Sequence, residues 1–123
     1  MDFDVPDNLL YTEEHEWIDP DTGWVGITDF AQDELGDIVF VDLPDVDQDV
    51  QAMDPFMVIE SVKAVSDIYA PADGTITGVN DPLVDQPELI NESPYDDGKL
   101  AQIEVESDLD ELMDADEYTD HIR

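Results

Sequence analysis

The chain has 123 residues and carries 35 Asp and Glu against three Lys and Arg, a formal net charge of −32. That balance excludes nucleic-acid backbone binding through a basic patch and docking on anionic membrane surfaces, since both need clustered cations. It does not exclude folding, because Leu, Ile, Val and Phe make up 34 of the 123 residues, above the roughly 20% below which so charged a chain stays disordered.

Tyr11 to Trp17 and Trp24 to Ile27 are short runs rich in aromatic and β-branched residues, joined through the turn formers Asp19-Pro20-Asp21-Thr22-Gly23, which predicts a first hairpin. Asp29 as a capping residue, Gln32 at the capping-box position and a closing Gly36 predict a short helix over 29–35. Asp37 to Leu43 alternates as a buried strand ended by Pro44, and Asp45, Asp47 and Asp49 line one face of the next extended segment. Phe56 to Val62 and Val65 to Tyr69 are β-rich runs separated by Lys63-Ala64, a second hairpin with its tip near Lys63. Pro71-Ala72-Asp73-Gly74 is a turn leading into a strand over Thr75 to Val79. From Asn80 to Asp97 turn formers, with Pro82, Pro87 and Pro94 among them, space out isolated apolar residues and predict loop. Leu100 to Val105 alternates again. Ser107, with Asp110 three residues on, predicts a capped helix carrying Leu109, Leu112 and Met113, and Tyr118 with Ile122 suggests a second one at the carboxy terminus. The reading is a mainly β chain in one domain, 1–123, since the length falls in the usual ~100–150 residue range.

The absence of cysteine excludes disulfides, thiolate zinc sites and cysteine nucleophiles. Met1 to Asn8 has no basic residue and no apolar run, and Phe56 to Ile59 is far too short to span a membrane, so a soluble cytoplasmic protein is expected. The acids are scattered and interleaved with apolar positions, as in Asp42-Leu43-Pro44-Asp45-Val46-Asp47, which reads as a solvated surface and not a tail. Adaptation to a very salty cytoplasm, where the screening length falls to about 3 Å near molar salt, explains it most simply. A nucleic-acid mimic presenting carboxylates for phosphates is the rival.

Asp45, Asp47 and Asp49 fail as a calcium loop, with Val50 where Gly is needed and Phe56 where Glu is needed, and Asp19 with Asp21 fails likewise at Phe30. No nucleophile elbow, phosphate loop or dinucleotide fingerprint occurs, so a self-contained enzyme is poorly supported. His15 lies between Glu14 and Glu16, and strand alternation would place the two carboxylates on one face and the imidazole on the other. His121, in a frayed terminus, is assigned no role. The informative residue is Lys63, retained within Glu60-Ser61-Val62-Lys63-Ala64-Val65-Ser66-Asp67 by a chain that has lost nearly every other lysine. At a hairpin tip its amine is open to a modifying enzyme and can carry a swinging prosthetic arm, which points to covalent acylation of Lys63.

These residues resemble the glycine cleavage system H-protein family over nearly the whole chain. The resemblance is carried, in order, by His15-Glu16-Trp17, Val25-Gly26-Ile27-Thr28-Asp29, Gly36-Asp37-Ile38-Val39-Phe40-Val41, Leu43-Pro44 and Glu60-Ser61-Val62-Lys63-Ala64. It continues through Pro71 with Gly74, Leu89-Ile90-Asn91 and Pro94-Tyr95. The resemblance implies a lipoyl-domain-like flattened barrel (a barrel-sandwich hybrid) of two sheets with short helices near 29–35 and at the C-terminus, and lipoate in amide linkage on Lys63. It implies a non-catalytic carrier that takes an aminomethyl group from a pyridoxal-phosphate glycine decarboxylase to a tetrahydrofolate aminomethyltransferase. A dihydrolipoamide dehydrogenase would reoxidise it, and a lipoylating enzyme would modify it through the motif Glu60, Ser61, Val62 and Ala64. Glu16 and Asp67 are the implied contacts of an amine-bearing arm.

Two positions depart from the family pattern: Lys99 follows Gly98 where Trp is common, and Met57 stands where Gly is frequent. Lys99 lacks the Glu-Ser-Val and Ala context and is expected to stay unmodified. A lipoate relay, a 2-oxo-acid dehydrogenase lipoyl carrier and a biotin carrier are alternatives within the carrier class, and an acidic interaction module or nucleic-acid mimic is the alternative outside it. Whichever holds, a −32 chain adapted to salt is expected to loosen or unfold as salt is withdrawn. Circular-dichroism melts at falling salt concentration check this, and full stability in dilute buffer would contradict it.

Overall fold

The structure is a computed structural model that describes residues 3–123; Met1 and Asp2, part of the terminus read as carrying no signal, lie outside the described residues. The order of elements is β1 (Leu10–Tyr11), β2 (Glu16–Ile18), β3 (Trp24–Ile27), α1 (Asp29–Leu35), β4 (Ile38–Asp42), β5 (Asp49–Val50), β6 (Pro55–Ser61), β7 (Val65–Tyr69) and β8 (Gly74–Val79). A 3₁₀ turn (Asp81–Val84), α2 (Leu89–Glu92), β9 (Ala101–Val105) and α3 (Ala115–His121) complete it. The strands form a six-stranded sheet in the order β1-β2-β3-β9-β8-β5 and a three-stranded sheet in the order β4-β6-β7, and the pairings are antiparallel. The expected mainly β architecture of two sheets with short helices over 29–35 and at the carboxy terminus is what the chain adopts.

Burial accounts for the layering. Val25, Ile27, Ile76 and Ile103 of the larger sheet share one apolar cluster with Ile38, Val41, Phe56, Met57, Ile59 and Ile68 of the smaller sheet. Ile59 and Ile76 are wholly enclosed, and truncating either to Ala would cost about 2–5 kcal/mol. A second cluster joins Leu9, Tyr11 and Trp17 to Ala115 and Tyr118 of α3. The Trp17 indole N–H donates to the carbonyls of Ile27 and Pro94 at 3.0 and 3.1 Å, so this bulky side chain is buried with its polar atom satisfied.

Local rules fail where tertiary pairing offers more. Tyr11 to Trp17 is two strands: His15 takes a left-handed φ of 73°, and β1 folds back on β2 with Tyr11 opposite Trp17. Asp45 to Gln48 is a turn with Asp47 at φ 76°, so only Asp49 belongs to a strand and the three acids share no strand face. The cap of α1 is Thr28, whose hydroxyl accepts from the Ala31 N–H; Asp29 instead accepts from the Gln32 amide at 2.9 Å. The stretch from Asn80 to Asp97 holds two single-turn helices that bury Leu83 and Ile90. No helix starts at Ser107: residues 107–112 run as bends and a turn closed by the Leu112 N–H on the Leu109 carbonyl at 3.2 Å, Met113 and Tyr11 then exchange two backbone hydrogen bonds of 2.8 Å, and the terminal helix starts at the Asp114–Glu117 capping box. Among the described residues no helix is long and apolar enough to cross a membrane.

Gly23 turns the β2–β3 hairpin at φ 81°, and a Cβ there would stand 2.2 Å from the Ile103 carbonyl oxygen. Gly23→Ala is therefore expected to cost on the order of 2 kcal/mol or more. Gly78→Ala, whose Cβ would meet nothing closer than 3.4 Å, should shift stability by about 0.5 kcal/mol or less. Denaturant melts of the two variants in molar salt check the contrast.

Candidate functional site

The β6–β7 hairpin closes through the two-residue loop Val62–Lys63, with the Ser61 N–H bonded to the Ala64 carbonyl at 2.8 Å. Neither loop residue is left-handed, so this is not one of the primed turns that match strand twist unaided. The Ser61 hydroxyl compensates by accepting from the N–H groups of Lys63 and Ala64 at 3.2 and 3.1 Å. The Val62 N–H bonds the Asp37 carbonyl at 3.0 Å, tying the tip to the start of β4. Lys63 projects from a tip braced on both sides, with Val62 and Ala64 exposed beside it and Glu60 partly buried on the outer face of β6.

The lysine side chain lies across Gly36. A Cβ at Gly36 would come within 2.9 Å of Lys63 Cε, and the left-handed φ of 80° already favours glycine at this helix end. Asn91 fixes the junction: its amide donates to the Gly36 carbonyl at 2.9 Å and to Gln32 Oε1 at 3.0 Å, and its oxygen accepts from the Ile38 N–H at 2.9 Å. One side chain from a stretch read as loop thereby holds α1, β4 and the ground under Lys63 in register.

Beside this junction runs an open groove of about 350 Å³. Ala31, Glu34 and Leu35 of α1 form one side, Val65, Asp67 and Tyr69 of β7 the other, with Glu14 and His15 also lining it and the buried Ile27 and Ile68 beneath. Its lining combines apolar surface with three carboxylates. His15 is held by the Tyr118 hydroxyl at 2.9 Å, and the same hydroxyl meets Thr28 Oγ at 2.7 Å, so α3 anchors both the groove's histidine and the cap of α1. Burial, and secondarily the neighbouring His121, lowers the His15 pKa, against the raising effect of Glu14 and Glu34.

The expected site residues fall into three groups. Lys63, Glu60, Ser61, Val62 and Ala64 form the tip, and Asp67 stands exposed on the groove wall. Glu16 is not a surface residue: it is 2% exposed, takes the Thr12 hydroxyl at 2.5 Å and accepts from the Tyr69 N–H at 3.3 Å. Burial pushes its pKa up to about 7, although those hydrogen bonds pull it down. Because residues 12–15 form a turn, Glu14 and Glu16 do not share a strand face, and His15 does not point away from the groove. Lys99 lies with Nζ 5.1 Å from the centre of the Trp24 ring, a half-buried cation–π contact unlike the exposed amine of Lys63. Gly36 and Asn91 were missed as site residues; the signals were a helix-closing glycine and an Asn inside Leu89-Ile90-Asn91.

Comparison with known proteins gives a consistent result. The family described as Glycine cleavage H-protein matches residues 9–123. The chain is 57% identical over 119 residues to a probable glycine cleavage system H protein of Halobacterium salinarum, covering 96% of each. It is 50% identical to a glycine cleavage system H protein of Oceanobacillus iheyensis, covering 93% of this chain and 94% of the other. The crystal structure of a glycine cleavage system H protein from Mycobacterium marinum superposes with a TM-score of 0.86 at 40% identity, covering 96% of this chain and 98% of that one.

The raised pKa of Glu16 has a signed consequence. The folded state holds this proton more tightly than the unfolded chain, so the group favours folding below the ordinary carboxylate range near 4.5 and opposes it increasingly as pH rises to about 7. Glu16→Gln removes the titration and keeps one of the two acceptor oxygens, which can still take the Tyr69 N–H while the new amide NH₂ donates to the Thr12 hydroxyl. Its stability relative to the parent chain should rise between pH 4.5 and 7 by on the order of 3 kcal/mol. Denaturant titrations at fixed high salt measure this, and a pH-independent difference would refute it.

Proposed function

We infer that Lys63 is the lipoyl attachment point of a carrier subunit, because the chain belongs to the glycine cleavage H-protein family, the lipoyl carriers of the glycine cleavage system. The observation that carries the assignment to this residue is the exposed amine on a braced two-residue tip, laid across a glycine beside the groove. The absence of any Cβ at Gly36 leaves a bare cradle under the lysine stem, so the site fits a long, slender group in amide linkage. The other lysine is held against Trp24.

Lipoate, when attached, supplies the disulfide that takes up the aminomethyl group of glycine and hands it on to tetrahydrofolate chemistry. The chain's own residues hold and orient. Ser61, Val62 and Ala64 set the tip, Asn91 and Gly36 fix its bed, and Leu35, Ile27 and Ile68 offer apolar surface. Asp67, with Glu14 and Glu34, brings negative charge to the groove, where an ammonium would be attracted. Glu16 acts one step removed, gripping the Tyr69 N–H and thereby the β7 wall. The enzymes served are the pyridoxal-phosphate glycine decarboxylase, the aminomethyltransferase and dihydrolipoamide dehydrogenase, with a lipoylating enzyme acting first. Family membership argues against the acidic-mimic reading, and the absence of cysteine removes any thiol of the chain that could exchange with the cofactor.

Lys63→Arg is expected to fold normally, by near-ultraviolet circular dichroism, and to support no glycine-dependent aminomethyl transfer in a reconstituted system. Lys99→Arg should retain transfer. Transfer by Lys63→Arg would refute the assignment.

A further inference from the structure

The face of the three-stranded sheet turned away from the core is unusual for so acidic a protein. Among the described residues the exposed large hydrophobics are Val39, Phe40, Val46, Met53, Val62, Val65 and Val84. Val62 and Val65 stand next to Lys63 in the hairpin and Val39 and Phe40 on the adjoining strand β4, whereas Val46 and Met53 stand on separate connecting segments and Val84 ends the 3₁₀ turn. Val62 and Val65 flank the tip, each 66% exposed, and Phe40 is 50% exposed. Phe40 pairs with Glu60 and Glu60 with Val65, so the three form one row on the outer face. The register shift between Ile38 and Phe40 breaks alternation and leaves both Val39 and Phe40 in solvent. The next row reads Asp42, Val58 and Asp67. The result is an apolar collar beside the lysine, bounded by exposed Asp37, Asp42 and Asp67.

We propose that this collar is the docking surface for the enzyme that acylates Lys63, a protein whose active-site rim is apolar at its centre and cationic at its edge. The inference rests on the carrier reading and names the surface that serves it. Reach selects the occupant. An enzyme acting on the far end of a lipoyl arm can stand off by the arm's length, whereas the acylating enzyme must bring an acyl carbonyl to Nζ itself and so covers the skin around the tip. In the chemistry concerned, the Lys63 ammonium gives up two protons and its nitrogen attacks the carbonyl of an acyl adenylate. The amide C–N bond forms as the acyl–oxygen bond breaks, and AMP leaves with that electron pair. In molar salt, where charge is screened over about 3 Å, apolar contact is the recognition term that survives, and the apolar side chains grouped in solvent on β4 and the hairpin meet that need.

The test uses the full chain expressed without lipoate and a lipoate–protein ligase active in molar salt, supplied with lipoate and ATP. Phe40→Ser and the double variant Val39→Ser with Phe40→Ser are expected to raise KM for acylation roughly tenfold or more with kcat little changed. Phe40→Tyr, which keeps the aromatic area, should remain near the parent value. Once loaded by excess ligase, the Ser variants should support aminomethyl transfer like the parent. Parent-like KM in both Ser variants, with circular dichroism showing them folded, would overturn the proposal. So would normal acylation combined with a raised KM for the decarboxylase, since the collar would then belong to that enzyme. A parent chain acylated at a residue other than Lys63 would instead overturn the carrier assignment.

Discussion

The site depends on holding one short hairpin tip in register with a helix end that is distant in sequence. Lys63 must project, and a projecting two-residue loop without left-handed residues is a weak turn by itself. The chain braces it by three interactions of different origin: the Ser61 hydroxyl inside the turn, the Val62 N–H on Asp37, and Asn91 clamping Gly36 and Ile38 from beyond the sheet. Each net contribution is about 1 kcal/mol. Together they determine where the lysine stem lies, because the Gly36 bed has no side chain to redirect it.

Against this local geometry the charge acts as a solvent condition. Twenty-three buried apolar residues in two clusters are held under a surface of carboxylates, with Arg123 and Asp120 the only ion pair among the described residues. Repulsion is dispersed over the surface, and molar salt would screen it. Where the chain departs from acidity it does so at identifiable places: the lysine tip, the apolar collar around it, and the Trp24–Lys99 contact. Among the described residues the one deeply buried carboxylate, Glu16, is satisfied by hydrogen bonds from Thr12 and Tyr69, so its burial is tolerated at the expense of a raised pKa.

Much of this was legible in the residues. Alternation located most of the strands, Gly36 closed the predicted helix, and the contrast of Lys63 with an acidic background singled out the proposed attachment residue before any resemblance was invoked. What sequence patterns missed depends on long-range pairing. Ser107 and Asp110 spell a helix start, but two backbone bonds between Met113 and Tyr11 outweigh one local cap. His15 looked like mid-strand because nothing in Glu14-His15-Glu16 announces a left-handed residue; the constraint is Tyr11 folding back onto Trp17. The burial of Glu16 and the role of Asn91 were hidden for the same reason, their partners lying 53 residues away at Tyr69 and Ile38.

The central claim is that one lysine of two is chosen by geometry and context. Intact and peptide mass spectrometry of the chain isolated from lipoate-containing native cells tests it directly. The account predicts the mass of a single lipoyl amide on the peptide containing Lys63 and none on the peptide containing Lys99. An unmodified Lys63, or a lipoyl group on Lys99, would contradict it.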